Sequence, residues 1–61
     1  MIKMNDVFYD ESNGRYLIVD GVGVDPNVFC CIVEELNEFG EYEITGRALF
    51  TENELNHFNR S

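Results

Sequence analysis

The first part of the chain contains two short segments of β-preferring residues separated by a turn signal. Residues 4–10 and 15–20 are both rich in aromatic and β-branched side chains. Between them lies Asn13-Gly14, a pair that tolerates the positive φ angles of a two-residue type I′ turn. The pattern therefore predicts an antiparallel β-hairpin at the start of the chain.

Residues 26–39 fit both a helix and a strand. In a helix, where successive residues are about 100° apart, the apolar residues would share one face; they are Val28, Phe29, Ile32, Val33, Leu36 and Phe39. Asp25-Pro26 would begin this helix and Gly40 would end it. However, residues 28–33 are all β-branched, aromatic or cysteine, and these types do not favour a helix. We therefore predict a strand over 28–36, with a helix over 26–39 as the alternative.

Residues 41–50 alternate between apolar and mostly polar positions, which is typical of a strand with one buried face. The apolar side of this strand would consist of Tyr42, Ile44, Gly46, Ala48 and Phe50. The following segment Thr51-Glu52-Asn53-Glu54 has the spacing of a capping box. The sequence therefore predicts a short C-terminal helical turn within residues 51–58.

These elements predict one small domain that spans residues 1–61. Four strands, at roughly 4–10, 15–20, 28–36 and 41–50, would form a mainly β antiparallel barrel or roll closed by the helical turn. If residues 26–39 were helical instead, the fold would be an α+β domain with the order ββαβα. The strand interpretation makes the barrel our predicted fold.

The apolar run of residues 28–33 also predicts association between copies. A chain of 61 residues buries only about 60% of the surface that it exposes when unfolded. As a strand, this run is apolar on both faces, and an open sheet with one short helix covers only one of them. We therefore expect a homodimer or a higher oligomer, with Phe29, Cys31 and Val33 at the contact.

The charge of the chain excludes some partners and favours another. Twelve Asp and Glu residues stand against four basic ones, Lys3, Arg15, Arg47 and Arg60, which gives a net charge of -8. Nucleic acids and anionic membranes need clustered Lys and Arg, so we expect neither as a partner. A basic protein is the expected partner. The most acidic segment surrounds two aromatic residues and is the predicted partner-binding site: Glu34, Glu35, Glu38, Phe39, Glu41, Tyr42 and Glu43.

No residue pattern predicts catalysis, a cofactor or a metal site. His57 is the only histidine, and Cys30 and Cys31 are adjacent within an apolar run, unlike the spaced ligands of structural zinc. We therefore expect a non-enzymatic protein. The alternative is an oligomer that binds a nucleotide or metabolite between subunits, with Arg15 and Arg47 as the contacts to the anion. Free thiols and the lack of a recognisable secretory signal predict a cytoplasmic location.

Four segments carry a resemblance to known proteins: Asp6-Val7-Phe8-Tyr9, the residues from Gly14 to Val19, those from Phe39 to Gly46, and those from Phe50 to Leu55. They resemble short uncharacterised proteins of bacteriophages and prophages, and their spacing of strands and turns is similar to that of small SH3-like barrels. The resemblance implies an SH3-like barrel and an accessory protein that acts by binding, often on a host protein. Together with the negative charge, it leads us to predict a phage accessory inhibitor of a basic host protein, such as a nucleic-acid-acting or defence factor. It assigns no functional residues.

Overall fold

The chain folds into one antiparallel sheet of five strands in a computed structural model that describes residues 1–61. The elements are β1 Val7–Asp10, β2 Arg15–Val22, β3 Val28–Leu36, β4 Tyr42–Thr51, α1 Glu52–Leu55 and β5 Asn59–Arg60. The spatial order is β4-β3-β2-β1-β5. The mainly β prediction is confirmed. The strand at 28–36 is present, so the alternative helix over 26–39 is wrong.

The sheet remains open, which differs from the predicted four-stranded barrel. Its two edge strands are β4 and β5, and they do not pair with each other. The physical reason is strand length, because β5 has 2 residues while β4 has 10. Neither β5 nor the four-residue β1 is long enough to pair along the outer edge of β4. The only helix, α1, has 4 residues, so no helix in this structure is long enough to cross a lipid bilayer.

The hairpin of β1 and β2 is confirmed, but its turn differs from the predicted one. Residues 11–14 form a four-residue turn between the paired residues Asp10 and Arg15, in place of a two-residue type I′ turn. Gly14 has a positive φ of 62° and Asn13 does not. The side chain of Asp10 stabilises this longer turn, since its Oδ2 accepts hydrogen bonds from Asn13 Nδ2 at 2.8 Å and from Arg15 Nε at 3.0 Å.

One side of the sheet carries the hydrophobic core, and we call it the core face. It consists of Phe8, Leu17, Val19, Cys31, Val33 and Phe50, all buried. Ile2, Leu55 and the partly buried Phe58 cover this face. The capping box predicted for Thr51 and Glu54 is present and begins α1, which places Leu55 over the core. Cys31 and Val33 are thus buried within their own chain and Phe29 packs against the same core, so the predicted contact of these residues with a second copy is wrong.

The other side of the sheet has no covering element, and we call it the open face. The strand pairing places on it Val7, Tyr9, Tyr16, Ile18, Cys30, Ile32, Leu36, Tyr42, Ile44 and Leu49. A β-bulge in β4 decides this composition, because Val33 lies opposite Gly46 whereas Glu34 lies opposite Ile44. The extra residue, Thr45, reverses the face of the side chains that precede it. Tyr42 and Ile44 therefore lie on the open face, and the prediction that they share a buried side with Ala48 and Phe50 is wrong.

Candidate partner-binding site

The hairpin of β3 and β4 extends beyond the rest of the sheet. At this end of the sheet, the outermost pair between β2 and β3 is formed by Arg15, the first residue of β2, and Glu35. The pairing of β3 with β4 continues to Leu36 and Tyr42, and residues 37–41 then close the hairpin. This end of the hairpin has no neighbouring strand on the β2 side. It is therefore accessible from both faces of the sheet.

Hydrogen bonds to Asn37 fix the conformation of the closing turn. The backbone N–H of Asn37 donates to Glu41 O at 2.7 Å, and Gly40 N–H donates to Asn37 O at 3.1 Å. The side-chain Oδ1 of Asn37 accepts from the backbone N–H groups of Phe39 at 2.9 Å and Glu41 at 3.0 Å. Gly40 has a φ of 79°, which is open to glycine without a steric penalty. This ordered turn leaves Phe39 79% exposed.

Carboxylates surround Phe39 on both strands and in the turn. Glu38 and Glu41 lie in the turn, Glu34 lies on the open face, and Glu35 and Glu43 lie opposite each other on the reverse side. Glu35 Oε1 accepts a hydrogen bond of 2.5 Å from Thr45 Oγ1. The structure thus brings together all of the residues predicted as the partner-binding site. We call residues 34–43 the acidic tip.

The negative charge of the acidic tip is not neutralised within the chain. The three salt bridges join Arg15 to Asp10, Arg47 to Asp20, and Arg60 to Asp6, and each uses an acidic residue outside the tip. Like charges that lie this close repel each other, so a basic group from another molecule would relieve the repulsion. The acidic tip is consequently an unpaired anionic surface around an exposed aromatic ring.

Tyr42 connects the acidic tip to the open face. Its ring centroid lies 5.0 Å from that of Tyr16, which in turn lies 4.8 Å from that of Tyr9. Burial raises the pKa of the Tyr42 hydroxyl, and the neighbouring Tyr16 and Tyr9 raise it further. The row of three tyrosines was not predicted from the sequence. The register of the β-hairpins could have indicated the pair of Tyr9 and Tyr16. Gly46 could have indicated the β4 bulge that brings Tyr42 to them, because an isolated glycine within a strand often marks a bulge.

The two arginines of the alternative ligand site do not come together. Arg15 bonds to Asp10 at 3.0 Å beside the core face, and its guanidinium lies 5.7 Å from the centre of the Phe50 ring. Arg47 lies on the open face and pairs with Asp20. A shallow depression of about 240 Å³ beside it is lined by Asp20, Gly21, Cys30, Arg47, Ala48 and Leu49. Within one chain, the structure provides no shared anion site for these two arginines.

The remaining reactive side chains are dispersed. His57 is exposed, and its Nδ1 lies 2.7 Å from the backbone oxygen of Asn53. Cys30 and Cys31 are free thiols on opposite faces of the sheet. The pKa of Cys31 is raised to about 11, mainly by burial and to a smaller extent by the charge of the neighbouring Cys30. No three side chains of His, Cys, Asp or Glu are grouped in a way that could hold a metal ion. No protein-family model, no curated protein and no solved structure matches this chain.

Proposed function

We propose that this chain is a non-enzymatic binding protein whose acidic tip docks on a basic protein. The observation that carries the proposal is the position of Phe39, which is 79% exposed in a turn held by its own hydrogen bonds. An exposed aromatic ring on an ordered turn loses little conformational entropy when it enters a pocket. Aromatic anchors of this kind supply much of the affinity of protein interfaces.

The carboxylates of the tip support a basic partner. Glu38 and Glu41 flank Phe39 in the turn, and none of the tip carboxylates forms a salt bridge within the chain. Complementary charge at the rim of an interface speeds association and selects the partner, while the buried aromatic slows dissociation. Proteins that act on nucleic acids carry the clustered Lys and Arg that such a rim requires. We therefore propose as the partner a protein that acts on nucleic acids, or a defence factor with a similar cluster of Lys and Arg.

The experiment is quantitative affinity capture from bacterial lysate with four immobilised proteins. These are the wild type, F39A, the double variant E38K/E41K and the control D25K/E52K. The control changes the net charge by the same amount, but Asp25 and Glu52 lie near the end of the sheet opposite the acidic tip. We expect basic proteins that the wild type and the control retain and that both tip variants lose.

Salt concentration gives a second test of the same proposal. The electrostatic interaction between exposed charges has a range of about 10 Å at 0.1 M ionic strength, and this range shortens as the salt concentration rises. Capture by the wild type should therefore weaken as salt rises. Equal capture by all four proteins would contradict the proposal, as would partners whose retention does not depend on salt.

A further inference from the structure

We propose that two copies of this chain pack together through their open faces. This contact overlaps the acidic tip only at Glu34, Leu36 and Tyr42, which lie on the open face, and it would cover the apolar side chains that the sheet leaves exposed. The open face exposes large apolar side chains, with 64% of Ile44, 63% of Leu49 and 56% of Leu36 accessible to solvent. Around the half-buried Ile18 and Ile32, they form one contiguous apolar surface. A contiguous apolar patch of several hundred Å² is often a binding surface.

The distribution of charge indicates that the occupant is a second copy. The chain has a net charge of -8, so two copies repel each other over most of their surface. Of its twelve acidic residues, only two lie on the open face: Glu34 through the strand pairing, and Asp20 through its salt bridge to Arg47. Asp20 is already paired with Arg47. Electrostatic repulsion between two copies is therefore weakest when their open faces meet. A basic partner would find almost no free carboxylate on this face.

The area of the open face is sufficient for a weak, reversible dimer. The four longer strands β1 to β4 lie side by side, and at a spacing of about 4.8 Å they span about 19 Å. The eight residues of β2 extend about 26 Å at a rise of about 3.3 Å each. The face thus measures about 500 Å², and two copies that cover it fully would bury about 1,000 Å², which is about the minimum for a biological interface and typical of weak association.

The side chains on the open face also have the composition of an interface centre. Protein interfaces are enriched in Tyr and Arg and depleted in charged residues at their core. Tyr9, Tyr16 and Tyr42 form a row at one end of the face, and Arg47 lies opposite Ile32 at the middle of β3. Two sheets can pack face to face about 10 Å apart with their inner side chains interdigitated. The turn of residues 37–41, which contains Phe39, lies beyond the pair of Arg15 and Glu35, so this packing does not require the burial of Phe39.

Sedimentation equilibrium of the purified chain tests the proposal. We expect the weight-average mass to rise from 7.1 kDa towards twice that value across a micromolar concentration series. The variants I18K and L49K introduce a cation at the centre and the β4 side of the face, and each should raise the dissociation constant at least about tenfold. The control V24K introduces the same charge at a fully exposed position in the turn after β2, and it should dimerise as the wild type does.

Three outcomes would overturn the proposal. The first is a wild type that remains at 7.1 kDa throughout the concentration series. The second is a mass that neither variant changes. The third is an effect of L49K with none of I18K, since this would place the contact at the free edge of β4. Circular dichroism confirms that each variant is folded, and if I18K is not, I18T replaces it, with the same expectation of weaker dimerisation.

The effect of salt separates this proposal from the proposed function. Added salt screens the repulsion between two acidic copies, so it should strengthen the dimer. The same salt should weaken capture of a basic partner by the acidic tip. Failure of one proposal therefore leaves the other intact, because E38K/E41K should retain the dimer and L49K should retain the captured partner.

Discussion

Replacement of Phe39 by alanine should leave the stability of the chain almost unchanged. A phenylalanine side chain presents about 200 Å² of surface, and 79% of Phe39 is exposed. Only about a fifth of it, about 40 Å², is removed from water on folding. At about 25 cal/mol per Å², this burial contributes about 1 kcal/mol to the free energy of unfolding, and alanine would lose at most that amount.

Phe8 provides the matched comparison, because it is the same residue type in the opposite environment. It is 1% exposed on the core face, so nearly all of its surface is removed from water. Phe-to-Ala substitutions at such positions cost about 3–5 kcal/mol. A chain of 61 residues has a total free energy of unfolding of about 3–9 kcal/mol. F8A should therefore lose a large part or all of this free energy of unfolding, while F39A should remain folded.

Urea unfolding followed by far-ultraviolet circular dichroism measures both variants. We expect F39A to keep the slope of the wild type and to shift its midpoint by an amount equivalent to about 1 kcal/mol or less. A loss of more than about 2 kcal/mol would refute our description of the tip, because Phe39 would then pack within the folded chain. An F8A variant as stable as the wild type would refute the assignment of the core face.

Two further predictions concern the charged and thiol groups. Burial raises the pKa of Asp10, but the hydrogen bonds from Asn13 and Arg15 outweigh it, so the pKa lies below its ordinary value of 3.8. The ionised carboxylate therefore stabilises the fold fully above that value, and the stabilisation is lost as the pH falls through the folded-state pKa. D10N should lower the free energy of unfolding by about 2 kcal/mol at neutral pH and by much less at low pH; an equal deficit at every pH would contradict this. For the cysteines, a thiol reagent applied to the native protein should modify Cys30 well before the buried Cys31, whose pKa is raised to about 11. Fragmentation of the labelled peptide by mass spectrometry identifies the modified cysteine. Equal labelling of Cys30 and Cys31 would contradict their positions on opposite faces of the sheet.

The local elements of this fold could be predicted from the sequence because short-range chemistry determines them. The β-branched and aromatic run of residues 28–33 specified a strand, and the spacing of Thr51 and Glu54 specified the start of α1. The acidic tip was predictable for the same reason, since its residues are consecutive in the sequence and a hairpin necessarily gathers them. These features depend on neighbours within a few positions along the chain.

The features that the sequence did not reveal depend on contacts between distant residues. The bulge at Thr45 follows from the register of β4 against β3, and the only local sign of it in the alternating pattern of residues 41–50 is Gly46, since a glycine within a strand often marks a bulge. Ile2 covers the core although it precedes the first strand, because Asn5, with a φ of 72°, and the turn at Lys3–Asp6 reverse the chain there. Closure of the sheet was predicted wrongly because it requires a last strand of sufficient length, and β5 has 2 residues.

The proposal that the acidic tip binds a basic protein is tested most directly by nuclear magnetic resonance. The isotope-labelled chain would be titrated with a basic protein that the wild type captures and E38K/E41K does not. We expect the largest chemical-shift changes at the backbone amides of residues 35–43, with little change at the opposite end of the sheet, around Asp25 and Glu52. The largest changes at that opposite end, or changes of equal size at all acidic residues, would contradict the account.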